Sequence, residues 1–159
     1  QATAWDGQLH QGDLSFEVGF GYGAHGEGFG YGIAVVPGAE WIFADWKIGD
    51  TVPLAVGVGT KGSMEYIPAT GLGLGADALA SLHLGFKGLD FYTSLGAGIV
   101  YVGEADVPFG LVFPALYAGA AWYLRENLAF YLEGVYRYGW KAVGYGGAVF
   151  GIRLKKAAG

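Results

Sequence analysis

Apolar and polar residues alternate along most of this chain with a period of two, and the stretch from Gly71 to Phe86 shows the pattern most clearly. Its even-numbered positions are all leucine, alanine or phenylalanine. Its odd-numbered positions carry glycine, aspartate, serine and histidine, with Leu79 as the only large apolar exception. Because successive side chains of a β-strand point to opposite faces, this pattern predicts a strand that lies between two different environments.

Seven further segments alternate in the same way, so the sequence predicts eight strands. The predicted strands cover residues 13–23, 29–45, 54–61, 71–86, 92–101, 111–124, 128–141 and 147–155. Short turns with the sequences KIGD, KGLD and RENL join three pairs of them, and a longer loop follows the third strand at residues 62–70. Pro114 predicts a bulge or a broken ladder in the sixth strand. Residues 1–12 and 157–159 are predicted tails.

Residues 107–124 offer one alternative, because they contain no charged side chain and reach the lower length limit of a membrane-spanning helix. Pro108 and Pro114 interrupt this segment together with two glycines, and both residue types are poor helix formers. A single helix would also leave the other alternating segments unexplained. A strand is therefore the preferred interpretation.

The composition indicates what the apolar faces contact. The chain has 159 residues, of which 31 are glycine, 16% aromatic and 14% charged, and its mean hydropathy is +0.36. Soluble domains have about 25% charged residues, so a soluble surface would be hard to build. A net charge of -5 with only nine Lys and Arg argues against a nucleic-acid partner. The chain has no cysteine, one methionine and one asparagine, which suggests a heat-adapted source.

The volume of the lumen decides which face points inward. An eight-stranded barrel is only just wide enough for its interior to be filled by side chains. The apolar faces of all eight strands carry Phe, Tyr, Trp, Leu, Ile and Val, which cannot all fit inside. The sequence therefore predicts an all-β fold, an eight-stranded antiparallel transmembrane β-barrel of up-and-down topology over residues 13–156. Its apolar faces contact lipid, and the chain is a monomer.

Large aromatic residues cluster at both ends of the predicted strands and suggest two interfacial girdles. The girdle residues are Trp41, Phe43, Phe86 and Trp122 near the short turns and Tyr136, Tyr138 and Trp140 near the other end.

Seven ionisable residues fall on the predicted lumen faces. They are Glu17, Glu40, Asp77, His83, Glu133, Arg137 and Arg153. An isolated buried charge costs several kcal/mol, so we expect these acids and cations to pair in a network that plugs the lumen. We expect Glu17, Glu40, Glu133 and Arg153 in the half nearer the short turns. A gate or a proton pathway through exchangeable pairs is the alternative.

Ser81, His83 and Asp77 share one face of the fourth strand, and a serine, a histidine and an acid suggest a hydrolase. Residues i and i+2 are roughly 7 Å apart along a strand, so a direct hydrogen bond between their side chains would need particular rotamers. In addition, this face of the strand points into the lumen. We therefore expect no catalytic residue. We also expect no metal site and no cofactor, since the loop acids Glu27, Glu104 and Asp106 read as solvated charges.

The eight segments, the turns KIGD, KGLD and RENL, the girdles and the glycine-rich charged lumen resemble small outer-membrane barrels of the OmpA, OmpX and OmpW type. The resemblance covers nearly all of residues 13–156, with one departure: such barrels often end in Phe or Trp, whereas this chain ends in KKAAG. It implies a bacterial outer-membrane protein with periplasmic termini, surrounded by outer-membrane lipids and with a cell-envelope or extracellular partner. The absence of a credible catalytic constellation predicts a structural or surface-interaction role without enzymatic activity. A narrow channel for ions or small apolar solutes and an outer-membrane lipid hydrolase are the alternatives.

Overall fold

The computed structural model describes residues 9–25, 30–49, 51–68, 71–103, 109–140 and 145–159, and the regular structure in these ranges is β-strand. The strands are β1 (Leu14–His25), β2 (Gly30–Ile48), β3 (Val52–Ile67), β4 (Gly71–Phe86), β5 (Leu89–Val102), β6 (Phe109–Arg125), β7 (Leu128–Trp140) and β8 (Tyr145–Lys156). Each strand pairs antiparallel with its neighbours in the chain, and β1 pairs antiparallel with β8. The predicted closed eight-stranded barrel is confirmed.

Several predicted boundaries were wrong. The loop predicted at residues 62–70 is mostly strand, because β3 continues to Ile67 and pairs with β4 as far as Gly71. The alternation does persist there, with Ser63 and Glu65 buried between the exposed Met64 and Tyr66. The segment considered as a membrane-spanning helix lies in β6 from Phe109 onward. None of the described residues forms a helix long and apolar enough to cross a membrane.

Residues 9–12 also differ from the predicted tail, since they lie against the barrel. The Gly12 N–H donates to the Ile42 carbonyl at 2.7 Å, and the Ile42 N–H donates to the Asp13 carbonyl at 2.9 Å. These bonds continue the pairing of β1 with β2 beyond the start of β1. The N-terminal end of the described chain is thereby held at the end of the barrel that carries the short turns, which we call the turn side. The opposite end is the loop side.

Pro114 produces the irregularity that the sequence predicts. The register between β6 and β7 shifts between Val112 and Ala115. A second shift occurs where β5 pairs with β6, between Gly96 and Gly98. Because proline has no N–H to donate to a ladder, the pairing is interrupted on either side of this position.

The apolar faces lie on the outside of the barrel. Large apolar side chains are exposed on all eight strands, among them Phe20 at 58%, Leu132 at 63% and Phe150 at 63%. Of the seven predicted girdle residues, five have exposed side chains on the outer face: Trp41, Phe43, Trp122, Tyr136 and Tyr138. Phe86 is half-buried, and the side chain of Trp140 lies outside the described part of the chain.

Inward-facing glycines give the lumen side chains the space they occupy. A Cβ atom on Gly98 would overlap the Asp77 carboxylate and the Ala76 carbonyl oxygen of the paired strand. By contrast, the nearest atom to a Cβ on Gly134 is the Ala118 carbonyl oxygen, 3.9 Å away. The absence of a side chain at Gly98 is therefore required for β4 and β5 to pair as they do.

We expect Gly98→Ala to destabilise the barrel by about 1–3 kcal/mol, the usual cost of forcing extra atoms into a packed interior. Gly134→Ala is the matched control and should change stability by no more than about 1 kcal/mol, since it has room and reduces the freedom of the unfolded chain. Urea unfolding of both variants in detergent measures the difference. Equal stabilities would show that the close approach at Gly98 does not limit the fold.

Candidate functional site

Lys61 of β3 lies at the centre of a network of buried charges. Its ammonium nitrogen is 2.6 Å from Glu17 Oε1 of β1 and 2.6 Å from Glu133 Oε2 of β7. The Tyr92 hydroxyl also donates to Glu133 Oε2, at 2.6 Å. All three charged side chains are at most 8% exposed. One cation thus joins carboxylates from two strands across the lumen.

A second group of charges lies between this centre and the turn side. Arg153 donates from Nε to Glu17 Oε2 at 3.2 Å and from Nη1 to Asp90 Oδ2 at 2.8 Å. Its guanidinium carbon lies 4.6 Å from the centre of the Tyr92 ring, which is within the range of a cation–π contact. Asp90 lies in turn 2.8 Å from His83 Nδ1, and His83 Nε2 lies 3.0 Å from Glu40 Oε1.

Asp77 and Arg137 form a third group. Arg137 donates from Nε and Nη2 to the two carboxylate oxygens of Asp77, both at 2.8 Å. The Tyr117 hydroxyl donates to the same carboxylate, and Glu65 Oε1 lies 3.9 Å from Arg137 Nη1. Paired N–H donors that meet a carboxylate in this way make one of the stronger side-chain interactions in proteins.

Buried apolar side chains, rather than charges, occupy the inward positions at the loop-side ends of several strands. Ile67 ends β3, Val102 ends β5, and both are at most 2% exposed. Val112 in β6 is 1% exposed and packs in one cluster with Val102 and Val100. We call these four residues the valine layer. Buried apolar side chains raise the cost of moving a charge past them.

All seven lumen residues predicted from the sequence point inward, and each takes part in one of these groups. Three more charged residues belong to them: Lys61, Glu65 and Asp90. The alternation of the third strand already places Lys61 on the inward face. The predicted lumen residues included four acids and only two arginines, so the charge balance also pointed to another buried cation. Glu65 was hidden in the predicted loop and Asp90 in the predicted KGLD turn. Among the described residues, the three groups contain six carboxylates, three Lys or Arg side chains and His83. Because the carboxylates outnumber the cations, hydroxyl groups donate hydrogen bonds to several of them.

Ser81, His83 and Asp90 are in contact, which corrects the expectation from strand geometry. Ser81 Oγ lies 3.2 Å from His83 Nε2, and the acid on the other ring nitrogen is Asp90 rather than Asp77. The Ser81 hydroxyl donates to Glu40, however, and is 8% exposed. A cavity of about 30 Å³ reaches His83 and Asp90, and a second of about 20 Å³ borders Glu40, while neither is lined by Ser81. Each holds one or two waters at most, so a substrate has no room beside this serine.

The part of the chain that the structure describes contains no group of His, Cys, Asp or Glu side chains suited to a metal ion. The loop acids Glu27, Glu104 and Asp106 lie outside that part, as does the side chain of His25.

Solved structures of small bacterial outer-membrane barrels share this architecture. The N-terminal barrel domain of OprF from Pseudomonas aeruginosa superposes with a TM-score of 0.66 at 17% identity, covering 93% of this chain and 100% of that domain. Ail, the attachment invasion locus protein of Yersinia pestis, gives 0.63 at 14% identity over 92% of this chain and 99% of its own. The chain has the fold of the small outer-membrane barrels.

The same fold occurs in an enzyme. The outer-membrane enzyme PagL gives a TM-score of 0.57 at 13% identity, over 87% of this chain and 98% of its own. No protein-family model and no curated protein matches the sequence. Identities this low establish the fold alone, and function must be argued from the residues of this chain.

We expect Arg137→Met to destabilise the barrel by about 3–5 kcal/mol, because it leaves the Asp77 carboxylate buried without its cation. The double variant Asp77→Asn with Arg137→Met should lose less than the sum of the two single changes. Arg125→Met, at the exposed end of β6, is the control and should stay within about 0.5 kcal/mol of wild type. Urea titrations of the four proteins in detergent measure the coupling. Strict additivity would contradict a buried pair.

Proposed function

We propose that this protein is a bacterial outer-membrane barrel that crosses the bilayer with its eight strands and has a structural or surface-interaction role. Its exterior supports this location. In the described strands, charged side chains on outward positions occur only near the turn side, as at Arg125 and Lys156. The strands have 12 to 19 residues, and about 9–11 residues suffice for a tilted crossing. Lipid is the solvent that fits such a surface.

The termini support one orientation of the barrel. The Asp13 carboxylate accepts a hydrogen bond from the Ala158 N–H at 3.1 Å, so the first and last described segments of the chain meet at the turn side. Outer-membrane barrels place their short turns in the periplasm. We therefore propose that both termini are periplasmic and that the longer connections face the cell exterior, where a cell-envelope or extracellular partner would bind.

The observation that carries the proposed role is the filled lumen. Lys61 of β3 joins carboxylates of β1 and β7 inside the barrel, and the valine layer adds buried apolar side chains nearer the loop side. Moving an ion through would require breaking contacts between buried charges, each costly to leave unpaired. The protein is then a membrane component that acts through its surface and its loops. Because the sheet closes on itself, no strand edge is left for a second copy to pair with, which supports a monomer.

An enzymatic role has less support. Ser81 and His83 have the contact that a nucleophilic serine needs, as a hydrolase would require. The hydroxyl is nevertheless turned to Glu40 inside a closed barrel, whereas a lipid substrate lies outside. We propose that Ser81, His83 and Asp90 fill and stabilise the lumen. Lipid hydrolysis that is lost in Ser81→Ala would contradict this assignment.

We expect Phe150→Arg to destabilise the reconstituted barrel by about 2–4 kcal/mol, the cost of a cation at the bilayer midplane of such barrels. Phe150 lies in the middle of β8 and is 63% exposed. Glu126→Arg, in an exposed turn, is the control and should be nearly neutral. Unfolding in lipid vesicles measures both. A neutral Phe150→Arg would contradict a lipid-facing exterior.

We expect no reproducible conductance steps when the protein is inserted into planar bilayers, since charges and the valine layer fill the lumen. Insertion is checked independently by protection of the strands from added protease. Large, reproducible steps from inserted protein would contradict a plugged lumen and favour the alternative role, a narrow channel for ions or small apolar solutes.

A further inference from the structure

Residues 9–13, which we call the strap, lie across the turn-side mouth of the barrel. Leu9 is 3% exposed and packs in a cluster with Ile42 of β2 and Ala55 of β3. This leucine is the only large apolar side chain of the strap. Leu9 therefore fills an apolar cavity at the turn-side end of the barrel, and this cavity would be left empty if the strap detached.

Polar contacts fasten the strap on two sides. Along β2, the Gln11 N–H donates to Asp45 Oδ1 at 2.8 Å, beside the backbone pairing at Ile42. At its other edge, the buried Asp13 carboxylate accepts from the Ala158 N–H and lies 3.8 Å from the Lys155 ammonium. The strap thus connects β2 to the C-terminal end of the chain.

The strap lies beside the turn-side end of the charge network, where His83 and Asp90 are at most 2% exposed. The cavity of about 30 Å³ beneath it is lined by Leu9 and His10 of the strap on one side and by His83 and Asp90 on the other. Asp90 continues through Arg153 and Glu17 to Lys61. Water that enters this cavity would therefore meet the first members of a chain of buried charges.

We propose that the strap is a lid over a water port on the turn side of the lumen. Closed, it keeps solvent and small cations from His83 and Asp90; open, it admits them from the turn side. The strap is suited to open by itself. It is short, buries one large apolar side chain, and its His10–Asp45 contact is exposed, with side chains 61% and 33% accessible. Segments with few buried contacts open well below the free energy of global unfolding.

Gly12→Ala tests the lid without altering any lumen residue. Gly12 has a φ of +92°, and a Cβ there would lie 2.7 Å from Ala158 Cβ, so alanine is strained and also pushes the strap from the C-terminal residues. Gly71→Ala is the matched control. It has a similar φ of +81° but nothing within 4 Å of its Cβ, so it reproduces the backbone strain away from the strap.

The measurement is hydrogen–deuterium exchange at the Cε1 carbon of the His83 imidazole, followed by mass spectrometry in detergent and in lipid nanodiscs. We expect about tenfold faster exchange in Gly12→Ala, which corresponds to docking weakened by about 1.4 kcal/mol, and an unchanged rate in Gly71→Ala. Leu9→Ala is the second variant, used if Gly12→Ala does not fold, and it should raise the rate in the same direction.

Two results would overturn the lid. Exchange at His83 within twofold of wild type in the strap variants would mean that the strap does not control access. Equal acceleration in Gly71→Ala would mean that general loosening, rather than the strap, exposes the histidine. The test is independent of the proposed role, because a barrel that conducts ions or lies outside the outer membrane would still give a defined answer at His83.

Discussion

The narrow lumen of an eight-stranded barrel is the constraint on which the rest of this structure depends. Its interior has room for side chains and little else, so the large apolar residues of eight amphipathic strands must lie outside. The inward positions must then carry small residues beside the few large ones. Gly98 shows how strict this is, since even a methyl group there would overlap the Asp77 carboxylate. The high glycine content and the exposed apolar surface are consequences of the same geometry.

Burying charges in this lumen gives the barrel a specific register. Each strand presents alternate residues to the inside, so a slip of one residue would turn an entire face outward. For β4, the slip would place Asp77 and His83 in the apolar exterior and remove one charged partner each from Arg137 and Asp90. Buried pairs contribute little stability over apolar packing, but breaking them is expensive. In this barrel, the buried pairs make strand pairings in the wrong register unfavourable. Apolar side chains discriminate less, because they are tolerated on the outer face as well as on the inner one.

The sequence was sufficient to predict the number of strands, their closure and the orientation of their faces. Alternation can be seen in each strand separately, and the volume of the lumen follows from the number of strands. It was insufficient where a residue's role depends on a partner far away in the chain. Asp90 read as a turn residue because its local sequence, KGLD, is turn-like, and only pairing with β4 brings it to His83. Leu9 read as part of a tail because a single apolar residue has no period, and its burial depends on β2 and β3.

Inward side chains near the two ends of the lumen are held in physically different ways, which makes the barrel asymmetric along its axis. Near the loop side, the valine layer belongs to strands that are paired on both edges, so its side chains can move apart only if the sheet itself deforms. On the turn side, the strap is attached to the sheet by a few contacts and can detach while every strand pair remains intact. Hydrogen bonds within a closed sheet break cooperatively, whereas a docked segment opens locally. Detachment of the strap should therefore expose the turn-side charges to water while the sheet stays intact.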